Sequence, residues 1–307
     1  MDYILQTNAL TKKYGRNCVL GGVTMNIRRG DIYGFVGENG SGKTTVIRLI
    51  TGLIYADSGD FTLFGTKSDS PDIRAARARI GAIVESPSIY LNLSARENLF
   101  MQCGILGIRD TKKCREILST VGLEALWENK KRAGDFSLGM RQRLGIAMAL
   151  LGDPEFIILD EPMNGLDPAG IVGIRELILR LNREKGITFL ISSHILTELA
   201  LVATRYGIIS HGKLVQEISS AELESLSLHT TEVKTPDRDA LADLLSADFD
   251  NTKISLIDGG VRINGDIDLN EVLGKIINAG LKITSVNTHR SSIEDYYLSM
   301  TGGGNNA

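Results

Sequence analysis

The chain has few cysteines: Cys18, Cys103 and Cys114 are the only ones in 307 residues, and no two form a C-x-x-C pair. A sparse, odd set argues against a disulfide framework and fits a reduced, cytosolic compartment. No window approaches ~18 uninterrupted apolar residues, so no membrane span is expected. The N-terminal Met1-Asp2-Tyr3-Ile4-Leu5-Gln6-Thr7 has neither a basic stretch nor a long apolar run, so no signal peptide is expected. Positive charge is not in excess. A net charge of −3 argues against a nucleic-acid grip, which needs a basic face. There are no internal repeats and no low-complexity segments. An Asn-Lys-x-Asp guanine motif is also missing, since the nearest string, Asn129-Lys130-Lys131-Arg132, ends in arginine. What remains is 43% hydrophobic and 23% charged, ordinary for a soluble globular protein. The length implies about two domains.

What is present is Gly37-Glu38-Asn39-Gly40-Ser41-Gly42-Lys43-Thr44, which fits the phosphate-binding pattern G-x-x-x-x-G-K-[ST]. Residues 31–36 read as a buried strand entering this loop, and residues 43–51 as a helix leaving it. The glycines let the backbone turn without Cβ clashes, so successive N–H groups point at an anion. The helix N-terminus adds its positive dipole end. Lys43 then reaches the β- and γ-phosphates, and the Thr44 hydroxyl ligates Mg²⁺. This pattern gives a nucleotide phosphate site, but neither the reaction nor its use.

From Ile4 to about Glu217, apolar runs of strand length alternate with helix-period segments, the pattern of an α/β sheet. Strands are expected at 32–36, 80–84, 156–159, 188–191 and 207–209. Residues 94–151 differ: helices at 94–104, 111–121 and 139–151 predict a helical subdomain, spanning about 86–152, inserted between two core strands. A linker helix at 218–228 follows. Residues 229–300 then read β-α-β-β-α-β, the order of a small ferredoxin-like α+β module, with a terminal helix at 291–300. The Gly/Asn tail, 301–307, is expected to be disordered.

Two further patterns carry chemistry. Phe156-Ile157-Ile158-Leu159-Asp160-Glu161 is a buried strand ending in two carboxylates, costly unless they meet a cation. Asp160 fits the acid that holds Mg²⁺, and Glu161 the general base that polarises an attacking water. His194 ends another apolar strand, at the edge where ligands bind in open α/β sheets. There it is placed to hydrogen-bond a γ-phosphate, although a lone histidine is more often structural.

With Phe136-Ser137-Leu138-Gly139-Met140-Arg141-Gln142-Arg143 at the start of a helix just before the acidic strand, the chain resembles the ATP-binding cassette (ABC) ATPases. The resemblance covers residues 1 to about 217, with the family's motifs in order. It implies a P-loop ABC core binding ATP and Mg²⁺. Tyr14 takes the place of the aromatic that stacks on adenine. Gly37, Asn39, Gly40, Ser41, Gly42, Lys43, Thr44 and Thr45 belong to Walker A. Glu85 takes the Q-loop position, residues 137–140 the place of the LSGGQ signature, and residues 156–161 that of Walker B. Residues 164–167 form the D-loop, and His194 is the H-loop switch. The resemblance makes Glu161, His194 and Glu85 catalytic. It assigns Mg²⁺ to Thr44, Asp160 and Glu85, and the second nucleotide of a head-to-tail homodimer to Ser137, Gly139 and Asp167.

Two departures stand out. The signature reads Ser-Leu-Gly-Met, so Ser137 and Gly139 keep the phosphate cap while Leu138 and Met140 make its surroundings less polar. Glu85 stands where most members carry glutamine. A carboxylate still ligates Mg²⁺ but donates no hydrogen bond, so Glu85 is expected to alter coupling rather than ATP binding. Glutamate there is similar to the bacitracin- and lantibiotic-resistance branch. The expected function is the ATPase subunit of a membrane exporter of antimicrobial peptides or hydrophobic compounds. It would lie on the cytoplasmic face of the plasma membrane through a separately encoded permease, with no nucleic-acid partner. The alternatives are a soluble ABC ATPase acting on ribosomes or DNA, and an importer ATPase. Arg141, Arg143, Trp127 and the turn at His211 keep plain structural readings.

Overall fold

The computed structural model describes residues 2–109, 112–226, 229–246, 254–265 and 267–290. The chain divides into two compact units, Met1–Ser220 and Ala221–Ala307. The terminal helix and tail expected at 291–307 lie outside the described residues.

The first unit opens with β1 (Tyr3–Tyr14), β2 (Asn17–Val23), β3 (Asn26–Arg28), β4 (Ile32–Val36) and α1 (Lys43–Thr51). β5 (Ser58–Leu63), β6 (Thr66–Lys67), α2 (Ile73–Arg77) and β7 (Ile80–Ile83) follow. Then come three helices, α3 (Ala95–Leu106), α4 (Lys112–Thr120) and α5 (Leu138–Leu150). The unit closes with β8 (Phe156–Asp160), α6 (Pro168–Lys185), β9 (Thr188–Ser193), α7 (Leu196–Ala200), β10 (Arg205–Ser210) and β11 (Lys213–Ser219).

Two kinds of strand produce two sheets. β4, β8 and β9 are buried at every position. Strands apolar on both faces belong in a parallel sheet covered on both sides. They lie in a six-stranded sheet of order β11-β10-β4-β9-β8-β7, parallel except for the β10–β11 hairpin. β1 mixes buried and exposed positions and belongs to an antiparallel sheet of order β2-β1-β5-β6, with β3 also on β1. The strands expected at 32–36, 80–84, 156–159, 188–191 and 207–209 all lie in the six-stranded sheet, and the antiparallel sheet is a second one beside it. The half-buried pattern of β1 and the turns that follow it pair it locally instead of feeding the parallel core.

Both sheets and α1 share one core. Val46, Ile47, Leu49 and Ile50 of α1 cluster with Ile4, Leu5 and Leu10 of β1 and with Phe35, Phe156 and Leu190 of the parallel sheet. Each such side chain contributes about 1.5–3 kcal/mol on burial, so the helix that carries the phosphate loop is fixed from two sides. A polar tie joins the sheets as well. Glu217 of β11 accepts the Tyr33 hydroxyl at 2.8 Å and the Asn26 amide, beside β1, at 2.9 Å. Burial first, then the Glu217 charge and hydrogen bond, push the Tyr33 hydroxyl well above its ordinary pKa.

Helices α3–α5 fall between β7 and β8. Ser94 caps α3, accepting from Glu97 N–H while Glu97 returns a bond to Ser94 N–H, a capping box. Gly107, left-handed at φ 70°, ends it.

The second unit holds most of α8 (Ser220–Leu226), then β12 (His229–Lys234), α9 (Arg238–Ser246), β13 (Ile254–Ile257), β14 (Gly260–Asn264), α10 (Leu269–Asn278) and β15 (Ser285–Arg290). Its antiparallel sheet has the order β13-β14-β12-β15, which with two crossover helices is the ferredoxin-like arrangement. Val233, Leu241, Leu245, Val261, Ile263, Val272 and Ile276 form its own core.

Candidate active site

Parallel strands bring their C-terminal ends to one edge, and there the sequence-assigned residues converge. β4 runs into the loop at Gly37, β9 ends beside Ser192 and His194, β8 ends at Asp160, and β7 leads to Glu85. β9 lies between β4 and β8, so His194 follows the strand flanked by those that carry the phosphate loop and the acidic pair.

Two glycines of the phosphate cradle, Gly37 and Gly42, are packed so closely that neither has room for a side chain. Gly42 caps α1 at φ 110°, and a Cβ there would stand 2.5 Å from Leu20 Cδ2. A Cβ on Gly37 would stand 2.6 Å from Ser41 Oγ. That hydroxyl is buried and has no hydrogen-bond partner. An unpaired buried hydroxyl costs about 1–3 kcal/mol, so a phosphate oxygen fits the space it faces. Lys43 is buried, its Nζ donating to the carbonyls of Gly37 at 2.7 Å and Glu38 at 3.1 Å, with Glu161 Oε1 at 3.4 Å. Thr45, in the first turn of α1, is part-buried, and Asn39 and Gly40 are exposed at the loop's crest.

The two acids occupy distinct surroundings. Asp160 is buried and accepts Thr44 Oγ1 at 2.8 Å on Oδ2 and Ser192 Oγ at 2.5 Å on Oδ1. Glu161 is left-handed at φ 50°, a conformation that costs about 1–3 kcal/mol in a non-glycine residue. Its N–H lies 2.9 Å from Ser192 Oγ, and His194 Nδ1 lies 2.7 Å from its Oε2. With the carboxylate ionised, the imidazole is the donor. His194 therefore orients Glu161 in this state.

A divalent cation fits here. Thr44 and Asp160 are hard oxygen donors of the kind Mg²⁺ takes, and Mg²⁺ completes its shell from water and substrate phosphates. Among the described residues no group of three or more His, Cys, Asp or Glu forms a metal cage. Glu85, assigned to the same ion from sequence, is placed otherwise. It is left-handed at φ 64°, largely exposed, and paired with Arg48 in the last turn of α1. A cation on the P-loop helix has taken up the charge that glutamate brings in place of glutamine.

Other assigned residues lie apart from this centre. Tyr14 ends β1 in the antiparallel sheet, half-exposed, with Lys12 Nζ 5.6 Å from its ring centroid. Ser137 caps α5 by accepting from Met140 N–H at 3.2 Å. A Cβ on Gly139 would meet Gly170 and Leu166, not the phosphate loop. Asp167 caps α6, accepting from Gly170 N–H at 3.1 Å. The signature and D-loop thus sit side by side.

Sequence reasoning missed three participants. Arg48 and Ser192 looked like ordinary helix and strand residues, although Ser192-Ser193 is a hydroxyl pair closing an apolar run. The third is the turn at His211-Gly212, where Gly212 N–H donates to Ser41 O at 3.0 Å and Gly212 O accepts from Gly21 N–H at 2.8 Å. It straps the phosphate loop to the sheet that carries Tyr14.

A family model described as ABC transporter matches residues 20–164. The bacitracin transport ATP-binding protein BcrA of Bacillus licheniformis is 42% identical over 306 residues, covering 99% of each chain. The lantibiotic transport ATP-binding protein SrtF of Streptococcus pyogenes is 41% identical over 214 residues, covering 70% of this chain and 90% of that protein. Among solved structures, the ATP-binding cassette MJ0796, in a dimeric post-hydrolysis state bound to ADP and Pi, superposes with a TM-score of 0.62. It is 25% identical and covers 70% of this chain and 98% of its own.

Proposed function

This chain belongs to the ABC transporter family and is an ATP hydrolase, and from that premise we propose that it powers an exporter of antimicrobial peptides of the bacitracin or lantibiotic kind. The observation that carries the cargo class is the identity to a bacitracin transport protein along essentially the full length of both chains.

In this reading the N–H groups of residues 37–44, with Lys43 and the unpaired Ser41 hydroxyl, bind the nucleotide phosphates. Thr44 and Asp160 would hold Mg²⁺, which would neutralise phosphate charge. Glu161 takes the proton of the attacking water, and His194 keeps the carboxylate aimed by holding Oε2. Tyr14 stacks on the base. Ser137 and Gly139, at the start of α5, cap the nucleotide held by a second copy of the chain, with Asp167 at the same interface. ATP contacts present only in the closed dimer shift the population toward closure.

Coupling runs through Glu85. Its loop continues to Pro87 and Ser88, which line a cleft of about 170 Å³ with Gln102 and Leu106 of α3 and Gly145 and Met148 of α5. Met101, Ile105 and Leu106 beside it are exposed apolar side chains. A cytoplasmic helix of the permease would seat side chains there, and Arg48–Glu85 ties the cleft's loop to the phosphate-binding helix. Among the described residues no helix is long and apolar enough to cross a membrane, so membrane attachment falls to that partner.

The test is affinity purification of tagged protein from detergent-solubilised membranes of the native host, together with bacitracin and lantibiotic susceptibility of a deletion strain. A copurifying polytopic membrane protein and increased susceptibility are expected. Ribosomal proteins as the partner, with unchanged susceptibility, would refute the exporter reading.

A further inference from the structure

One fully buried hydroxyl at this centre has no part in the scheme above. Ser192, on β9, has no solvent exposure and sits opposite Asp160 in the parallel β8–β9 ladder. A strand-end residue can satisfy its backbone through the ladder alone, so the side chain is free for other work. Its Oγ donates to Asp160 Oδ1 at 2.5 Å and accepts from Glu161 N–H at 2.9 Å. Both acids therefore meet one oxygen. The neighbouring hydroxyl differs: Ser193 Oγ accepts from Ile195 N–H, a local turn two residues on.

The two bonds have separate consequences. Asp160 is buried, and a buried carboxylate oxygen without a donor is costly. With Oδ1 held by Ser192, Oδ2 is the oxygen left facing Thr44. Glu161 is left-handed, and Ser192 supplies two of its restraints, through Oγ and through its carbonyl at 3.2 Å. The turn directs the Glu161 carboxylate to Lys43 and His194. An alkyl side chain at position 192 would leave Oδ1 bare and the Glu161 N–H with the carbonyl alone.

We propose that Ser192 is a positioning residue for the metal and for the general base: its single hydroxyl selects the Asp160 oxygen offered to the cation and fixes the turn that aims Glu161. The inference rests on the nucleotide and metal chemistry proposed for this site. Groups that hold a ligand in place typically change metal affinity or activity about 10–100-fold when removed.

The experiment compares full-length wild type, S192A and S192T. Mn²⁺ is titrated by electron paramagnetic resonance in the presence of a non-hydrolysable ATP analogue. Analogue binding in EDTA and thermal unfolding are measured alongside. S192A adds no volume, so it is expected to fold. Its Mn²⁺ affinity should fall about 10–100-fold, its kcat should fall, and metal-free analogue binding should stay at the wild-type level. S192T, which restores a hydroxyl, should recover most of the Mn²⁺ affinity. Wild-type Mn²⁺ affinity in S192A would overturn the inference. So would S192T as weak as S192A with both folded, since the hydroxyl would then not be what matters. If wild type itself took up no Mn²⁺ with the analogue, the metal assignment of Thr44 and Asp160 would fall, and the inference with it.

Discussion

Glu161→Gln tests the chemistry most directly, and the structure says why so small a change is large here. The carboxylate faces two donors at once, Lys43 Nζ at 3.4 Å from Oε1 and His194 Nδ1 at 2.7 Å from Oε2. A carboxylate offers acceptors on both sides, whereas an amide offers one acceptor and one donor group. If the glutamine oxygen faces His194, its NH₂ opposes the Lys43 ammonium. If it faces Lys43, the NH₂ meets His194, which must switch tautomer. The first orientation loses a contact, the second costs a change of tautomer, and the proton acceptor for water is lost in both. General-base catalysis is worth about 10²–10⁴-fold, or about 2.7–5.4 kcal/mol at 1.36 kcal/mol per tenfold. Lys43 keeps its bonds to Gly37 O and Glu38 O, so ATP affinity should move by less than about threefold, as for an interaction made only in the transition state. Phosphate release under saturating ATP reads the first number, and equilibrium nucleotide binding reads the second. A closed dimer should accumulate, visible by size-exclusion chromatography. Turnover within about tenfold of wild type would remove Glu161 from the general-base role.

Other perturbations test separate parts of the argument. Glu85→Ala should change stability by less than about 1 kcal/mol, because its partner Arg48 and Glu85 itself are 36% and 61% exposed and solvent screens them; the ratio of transport to ATP hydrolysis should change instead, and an unchanged ratio would exclude a coupling role. Tyr33 titrates above its ordinary value because of burial and Glu217, so its contribution to stability is full below pH ~10 and lost as pH rises above it, at up to about 1.4 kcal/mol per pH unit. Tyr33→Phe should flatten that alkaline slope in denaturant titrations, and an unaltered slope would assign the loss to other groups. Gly42→Ala puts a Cβ at φ 110° and 2.5 Å from Leu20 Cδ2, which should cost about 1–3 kcal/mol of stability and abolish nucleotide binding; calorimetry showing wild-type affinity would refute the cradle.

The sequence alone determined whatever is written over a few neighbouring residues. The phosphate loop and its flanking strand and helix are contiguous, so glycine spacing and apolar runs were enough to place them. The βαββαβ order read over residues 229–300 is equally local, since its turns act over two to four residues. Tertiary structure decided which of these local pieces meet. Thr44 reaches Asp160 across 116 residues, and Glu161 reaches His194 across 33. Both contacts exist because β9 lies between β4 and β8, an order no local pattern records. The same holds for the partner of Glu85. Its charge was legible and invited a metal, but only the tertiary fold put Arg48 of α1 against it. Ser192 was invisible for that reason: a serine closing an apolar strand acquires meaning only when the neighbouring strand ends in two acids at the same height. Short-range hydrogen bonding and periodicity leave a signature along the chain, while strand order is fixed by the shared burial of distant apolar faces, which leaves none.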